Sequence, residues 1–157
     1  TNAQHYYPIL RKAEVFLNYA EAANEAWGPK GKDPDGICKF TAYQVIKTIR
    51  QTSGGITDTK YLDEMAASKE SFRILIQNER RLELAFENQR YYDMRRCLLP
   101  LNEAVKGVLV TKEGDDLIYT FQKVEDRKFD GIRYYYSPLP YYECVKNPNL
   151  VNNLGWK

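Results

Sequence analysis

One segment constrains this chain more than any other. Residues 75–96, Leu75-Ile76-Gln77-Asn78-Glu79-Arg80-Arg81-Leu82-Glu83-Leu84-Ala85-Phe86-Glu87-Asn88-Gln89-Arg90-Tyr91-Tyr92-Asp93-Met94-Arg95-Arg96, have the spacing of a helix whose apolar side carries charge. At about 100° per residue, Phe72, Leu75, Ile76, Leu82, Phe86 and the stem of Arg90 share one side, and Glu79 and Glu83 fall within that arc. Carboxylates on an apolar face cost several kcal/mol of desolvation unless cations and hydrogen-bond donors meet them. Arg80, Arg81, Arg90, Arg95 and Arg96 are at hand, and the i,i+3 pairs Glu87 to Arg90 and Arg90 to Asp93 lie on one helix face. The segment therefore predicts a structural ion-pair network of Glu79, Glu83, Glu87, Arg90 and Asp93.

The competing expectation is a general acid/base pair at Glu79 and Glu83. A glycoside hydrolase needs only two carboxyls roughly 5–9.5 Å apart, which adjacent helical turns supply. Neighbouring arginines, however, keep both carboxylates ionised instead of raising one to serve as an acid. Other mechanisms lack parts. His5 is the only histidine and lies near a terminus, so a Ser/His/Asp or Cys/His mechanism has no base. Ser53-Gly54-Gly55 lacks the lysine and the spacing of a phosphate-binding loop. Cys38, Cys97 and Cys144 show neither CxxC nor Cys/His ligand spacing, so neither a metal nor a cofactor is expected.

With 23 basic and 21 acidic residues interleaved along the chain, the net charge of +2 gives no polyelectrolyte stripe, and nucleic acid is not an expected partner. No apolar run approaches the ~18 residues that span a bilayer, and the first residues are not a signal peptide. The unusual component is tyrosine: 13 tyrosines against 6 phenylalanines supply flat rings with polar tips, suited to stacking on sugars or peptides or to large interfaces. Tyr134-Tyr135-Tyr136 and Trp27, which ends a helix beside a loop, are the candidate ligand-binding residues. Tyr6-Tyr7 is a further pair of such faces, whereas Tyr91-Tyr92 in the signature segment and Tyr141-Tyr142 in the tail are expected to pack on helices.

Along the chain, Pro8 precedes a first helix over about 9–27, rich in alanines that let another helix approach closely. Gly28-Pro29 ends it. A polar loop follows, with three glycines and two prolines in residues 28–36. A second helix capped by Thr41 runs to Ser53-Gly54-Gly55 and closes a helical hairpin over 9–55. A helical turn is expected over 62–66, and Ser68 or Ser71 caps the long helix over 70–97. Residues 98–157 change character. Short strand-like runs at 108–111, 118–124 and 132–136 alternate with Gly114-Asp115-Asp116 and Asp130-Gly131, so one or two small strands are expected. A proline- and asparagine-rich tail should wrap over helices, anchored by Trp156. The predicted fold is a mainly α single domain over 1–157.

Three ordered motifs give this pattern a family resemblance. The run ER-x-x-ELAFE-x-x-RYYD-x-R (Glu79 to Arg95) resembles the signature helix of the SusD/RagB family of outer-membrane nutrient-binding lipoproteins. Residues 10–25 resemble its R-x-AE-x-x-L-x-YAEA-x-NE helix. Pro138-Leu139-Pro140 with Glu143, Asn147-Pro148-Asn149-Leu150 and Asn153-Leu154-Gly155-Trp156 resemble its closing elements. Asn88 stands where the family usually has glycine, Cys97 where an aromatic is common, and Leu154 where proline is common. The matched part is the C-terminal portion of much longer proteins.

The resemblance implies a tetratricopeptide-like helical hairpin plus the signature helix, and a non-catalytic role. The full protein would capture an oligosaccharide, or in some relatives a peptide, in polysaccharide or peptide uptake. It would sit as a lid on a SusC-like TonB-dependent transporter at the cell surface of a Bacteroidetes-type outer membrane. Membrane association would come only through an N-terminal lipid anchor of the parent. Ligand would be held mainly by loops outside this segment, leaving these residues as scaffold. A tetratricopeptide-like protein-interaction module is the alternative, and a glycoside hydrolase fragment the third.

Overall fold

Two capping boxes set where the helices of the first half begin. In the computed structural model, which describes residues 9–129 and 131–156, Thr41 Oγ1 accepts the Gln44 N–H at 3.2 Å and Gln44 Oε1 accepts the Thr41 N–H at 2.9 Å. Ser68 and Ser71 exchange the equivalent pair at 3.1 and 3.2 Å. Each box satisfies two N–H groups that a helix start leaves without partners. Thr41 therefore opens α2 (Ala42–Thr52) and Ser68, of the two candidate serines, opens α4 (Lys69–Glu83). Before them, α1 (Lys12–Trp27) starts after an extended Arg11 and stops at Gly28, whose φ of 80° suits glycine. The expected helical turn is α3 (Lys60–Met65).

α1 packs against both α2 and α4, and α3 against α4. The core they share contains Leu17, Ala20, Ala23, Val45, Ile46, Ile49, Leu62, Phe72, Leu75 and Ile76. Ala20 and Ala23 are buried on α1, where small side chains admit a close neighbour.

The long helix expected over 70–97 is two helices. α4 ends at Glu83, and α5 (Gln89–Arg96) begins after a turn in which Phe86 and Asn88 have φ of 65° and 62°. This break corrects the helix phase. Phe86 and Leu82, placed on the apolar side by an unbroken 100° progression, are exposed, while Leu84 is buried. A left-handed residue costs an L side chain roughly 1–2 kcal/mol, least for asparagine and nothing for glycine. That explains glycine at the position of Asn88 in the family pattern. Asn88→Gly is accordingly expected to be about 1 kcal/mol more stable than Asn88→Ala. Urea unfolding checks this, and equal losses would remove the left-handed turn from the explanation.

The described residues divide into two compact units, one up to Tyr91 and one from Tyr92 onward. In the second, β1 (Val105–Glu113) and β2 (Asp116–Glu125) form an antiparallel two-stranded sheet turning at Gly114 and Asp115. A register shift lies between Val105 and Lys106. The third strand-like run is instead a 3-10 turn, Ile132–Tyr135. The tail adds one short helix, α6 (Tyr141–Lys146). Its anchor is Trp156, which donates its indole N–H to the carbonyls of Arg133 (3.2 Å) and Tyr136 (3.1 Å), so the tail closes on the 3-10 turn. His5, Tyr6 and Tyr7 fall outside the described residues.

Candidate functional site

The carboxylates of the charged segment find partners far away in sequence. Arg11, extended just before α1, donates Nε–H to Glu87 Oε1 at 2.8 Å and an Nη1–H to Glu83 Oε1 at 3.1 Å, and Nη2 donates to the Glu83 carbonyl. One planar guanidinium thus ties the end of α4 to the turn beyond it. The hydrogen bond to Glu87 and, after it, that to Glu83 outweigh burial and raise the Arg11 pKa. Glu79, buried, is paired with Arg50 Nη1 of α2, and the Arg50 guanidinium lies 5.7 Å from the Tyr61 ring centre. Buried Arg80, next in sequence, donates to Asn18 Oδ1 at 2.6 Å. Arg50 comes from α2 and Arg11 from the lead-in to α1. Of the other two residues expected in the network, Asp93 is buried and accepts from Arg96 Nε at 2.9 Å within α5, and Arg90 is half-buried.

A second cluster ties α1 to α4. Arg73 grips Glu25 through Nε and Nη2 at 2.6 and 2.7 Å, with Lys69 Nζ at 3.6 Å. The Arg73 hydrogen bonds hold the Glu25 carboxyl below the usual glutamate range, with burial opposing and the charges of Arg73 and Lys69 adding. A depressed folded-state pKa contributes stability that is fully present above the unfolded value, about 4.3, and is lost as pH falls through the folded one. Arg73→Gln should therefore raise the Glu25 midpoint in an NMR titration and flatten the stability profile between about pH 5 and 3. An unmoved midpoint would mean the bidentate pair does not persist in solution.

The aromatic candidates divide by what already occupies them. Trp27 is half-buried and packs on the helical core. Tyr135 donates its hydroxyl to the Leu99 carbonyl at 2.9 Å, and the Tyr134 ring meets Phe129 edge-on at 5.5 Å and the Arg133 guanidinium at 4.9 Å. Tyr136 is the most exposed of the three tyrosines. Tyr141 and Tyr142, expected to dock on helices, contact each other edge-on at 5.8 Å and are exposed, and Tyr91 and Tyr92 are exposed as well.

The sequence did not point to an open apolar cleft of about 140 Å³ lined by Phe16, Phe40, Gln44, Val45, Thr48 and Ile49. Tyr19 donates its hydroxyl to the Phe40 carbonyl at 2.6 Å, which fixes the loop end that carries Phe40. Exposed Phe16 on α1, five residues after the Arg11 anchor, was the available signal. Among the described residues no group of three or more His, Cys, Asp or Glu converges as a metal site, and no helix is long and apolar enough to cross a membrane.

The architecture is thus that of a mainly α protein with a single two-stranded sheet among the described residues and with Glu79, Glu83 and Glu87 tied to arginines distant in sequence. The sequence model of the SusD family matches residues 1–156, and this chain belongs to that family. It is 30% identical to SusD-like protein P2 of Formosa agariphila over 99% of this chain and 26% of that protein. SusD-like protein P25 of the same organism is 30% identical over 92% of this chain and 23% of its own length. A crystal structure of a SusD-like protein from Bacteroides fragilis superposes with a TM-score of 0.67 at 31% identity, covering 99% of this chain and 27% of that one. The chain spans about a quarter of the length of these relatives.

Proposed function

We propose that these residues are the scaffold part of a non-catalytic surface protein that captures a nutrient, an oligosaccharide or a peptide. The parent would be lipid-anchored at the outer membrane and would hand its ligand to a SusC-like TonB-dependent transporter. One observation carries the reading: Glu79 and Glu83, the two carboxylates weighed as an acid/base pair, are engaged by Arg50 and Arg11, and Glu87 shares Arg11 with Glu83. A carboxylate held by an arginine's hydrogen bonds is oriented by them, which suits a rigid binding body. Family membership supports the nutrient-binding role.

Calorimetry with a panel of oligosaccharides and peptides tests this, using this chain and the longer protein that contains it. Binding by the longer protein alone fits a scaffold. Binding by this chain, abolished by Tyr136→Ala or Trp27→Ala, would put the pocket among these residues and overturn the scaffold reading. Release of reducing ends from any glycan would overturn the non-catalytic reading. The tetratricopeptide-like interaction module keeps a place because of the open cleft under Phe16 and Phe40. It predicts binding of a helical peptide that Phe40→Ala weakens, with no requirement for a nutrient.

A further inference from the structure

The β1–β2 hairpin is unused by any of the above. Every residue of β2 is exposed, and in β1 only Val105 and Gly107 are half-buried. A lone two-stranded hairpin is marginal in water without something against one face. Its two faces differ in kind. Directly paired residues share a face, and side chains alternate along each strand. The register Lys106↔Lys123, Val108↔Phe121, Val110↔Tyr119, Lys112↔Leu117 therefore gathers three lysines and five apolar residues on one face. Glu113↔Asp116 falls on the other, with Leu109, Thr111, Ile118 and Thr120. The basic face is open: Phe121 is 75% and Tyr119 60% exposed. Lys123 pairs with Asp126 at 2.8 Å, whereas among the described residues Lys106 and Lys112 have no carboxylate partner. Lys106 directly opposite Lys123 is a like-charge pair that disfavours the bare hairpin.

We propose that this face docks an extended segment of a partner protein, one that presents apolar side chains between two carboxylates about 20 Å apart. That spacing is the six-residue rise from Lys106 to Lys112 along β1. Charge complementarity selects the occupant. A second copy docked face to face would set lysines against lysines. An anionic membrane is repelled by the turn, where Glu113, Asp115 and Asp116 stand together. Three lysines beside an acidic turn are too few for a phosphate backbone. Tyr119 and Phe121 supply rings, but aliphatic Val108, Val110 and Leu117, three of the five apolar residues of the face, offer a sugar no hydrogen bond and suit the apolar side chains of a protein.

The probe is a fluorescein-labelled, amidated peptide, Glu-Ser-Val-Ser-Phe-Ser-Glu, which in extended form puts Glu, Val, Phe and Glu on one side. Fluorescence anisotropy with the full chain should show saturable binding that weakens as salt rises. Binding should drop at least about tenfold when Lys106→Glu and Lys112→Glu are combined. Lys106→Gln with Lys112→Gln, or Phe121→Ser alone, should each weaken it severalfold with an unchanged circular dichroism spectrum. The same charge reversal at Arg127 and Lys128 should leave it intact. Four results overturn the proposal: no saturable binding, an equal loss from the Arg127/Lys128 control, tighter binding to polygalacturonate, or tighter binding to phosphatidylglycerol vesicles. The last two would assign the face to an anionic glycan or a membrane.

Discussion

Glu79→Ala is expected to cost about 3–5 kcal/mol, because it leaves the Arg50 guanidinium buried without a counter-charge. The two side chains are only 12% and 10% exposed, and they join α2 to α4 across the helical core. For a chain of this length the loss corresponds to a fall of roughly 6–20 °C in the midpoint of helix unfolding by circular dichroism. Combining Arg50→Met with Glu79→Leu should recover most of it, since the penalty is an unpaired charge and not a missing attraction. Lys146→Ala, which removes the exposed pair with Glu143, should change stability by less than about 1 kcal/mol. If Glu79→Ala matched Lys146→Ala, the Arg50 pair would be solvated and its place in the core wrong.

The second large effect separates two phenylalanines that an unbroken helix puts on the same side. Phe72 is 0% exposed, near the start of α4 and stacked on Tyr43 at 6.4 Å. Phe72→Ala should cost about 3–5 kcal/mol in urea unfolding, through lost burial and the cavity left behind. Phe86 is 100% exposed at a φ of 65°. Phe86→Ala should therefore change stability by less than about 0.5 kcal/mol. A large loss at Phe86 would restore the continuous helix and its original phase.

Features set by near neighbours along the chain are legible in the sequence. Thr41 and Ser68 cap helices because a side-chain oxygen within three residues of a free N–H needs no distant partner. Gly28 stops α1 at a positive φ, and Gly114 turns the hairpin between two β-rich runs, for equally local reasons. Family membership followed from three ordered motifs in one chain, again without reference to the fold.

The break after Glu83 was not legible from periodicity. Each residue from Leu82 to Asn88 is compatible with a helix, and a 100° wheel assumes the continuity it is used to demonstrate. Part of the site was legible too: the burial of Glu79 followed from its position among apolar neighbours. The identity of its partner did not. Arg50 lies 29 residues before Glu79, and Arg11 lies 72 and 76 before Glu83 and Glu87. Ion pairs depend on distance in space, and only the packing of α1 against both α2 and α4 selects those two guanidiniums from a chain holding 23 basic residues. Tyrosine shows the same division. Amphipathic rings at 134–136 are visible as chemistry, but a tertiary contact commits Tyr135 to the Leu99 carbonyl, 36 residues away. Caps, turns and motifs could be settled by neighbours along the chain, whereas partners across the core were settled by which helix faces bury the most apolar surface together.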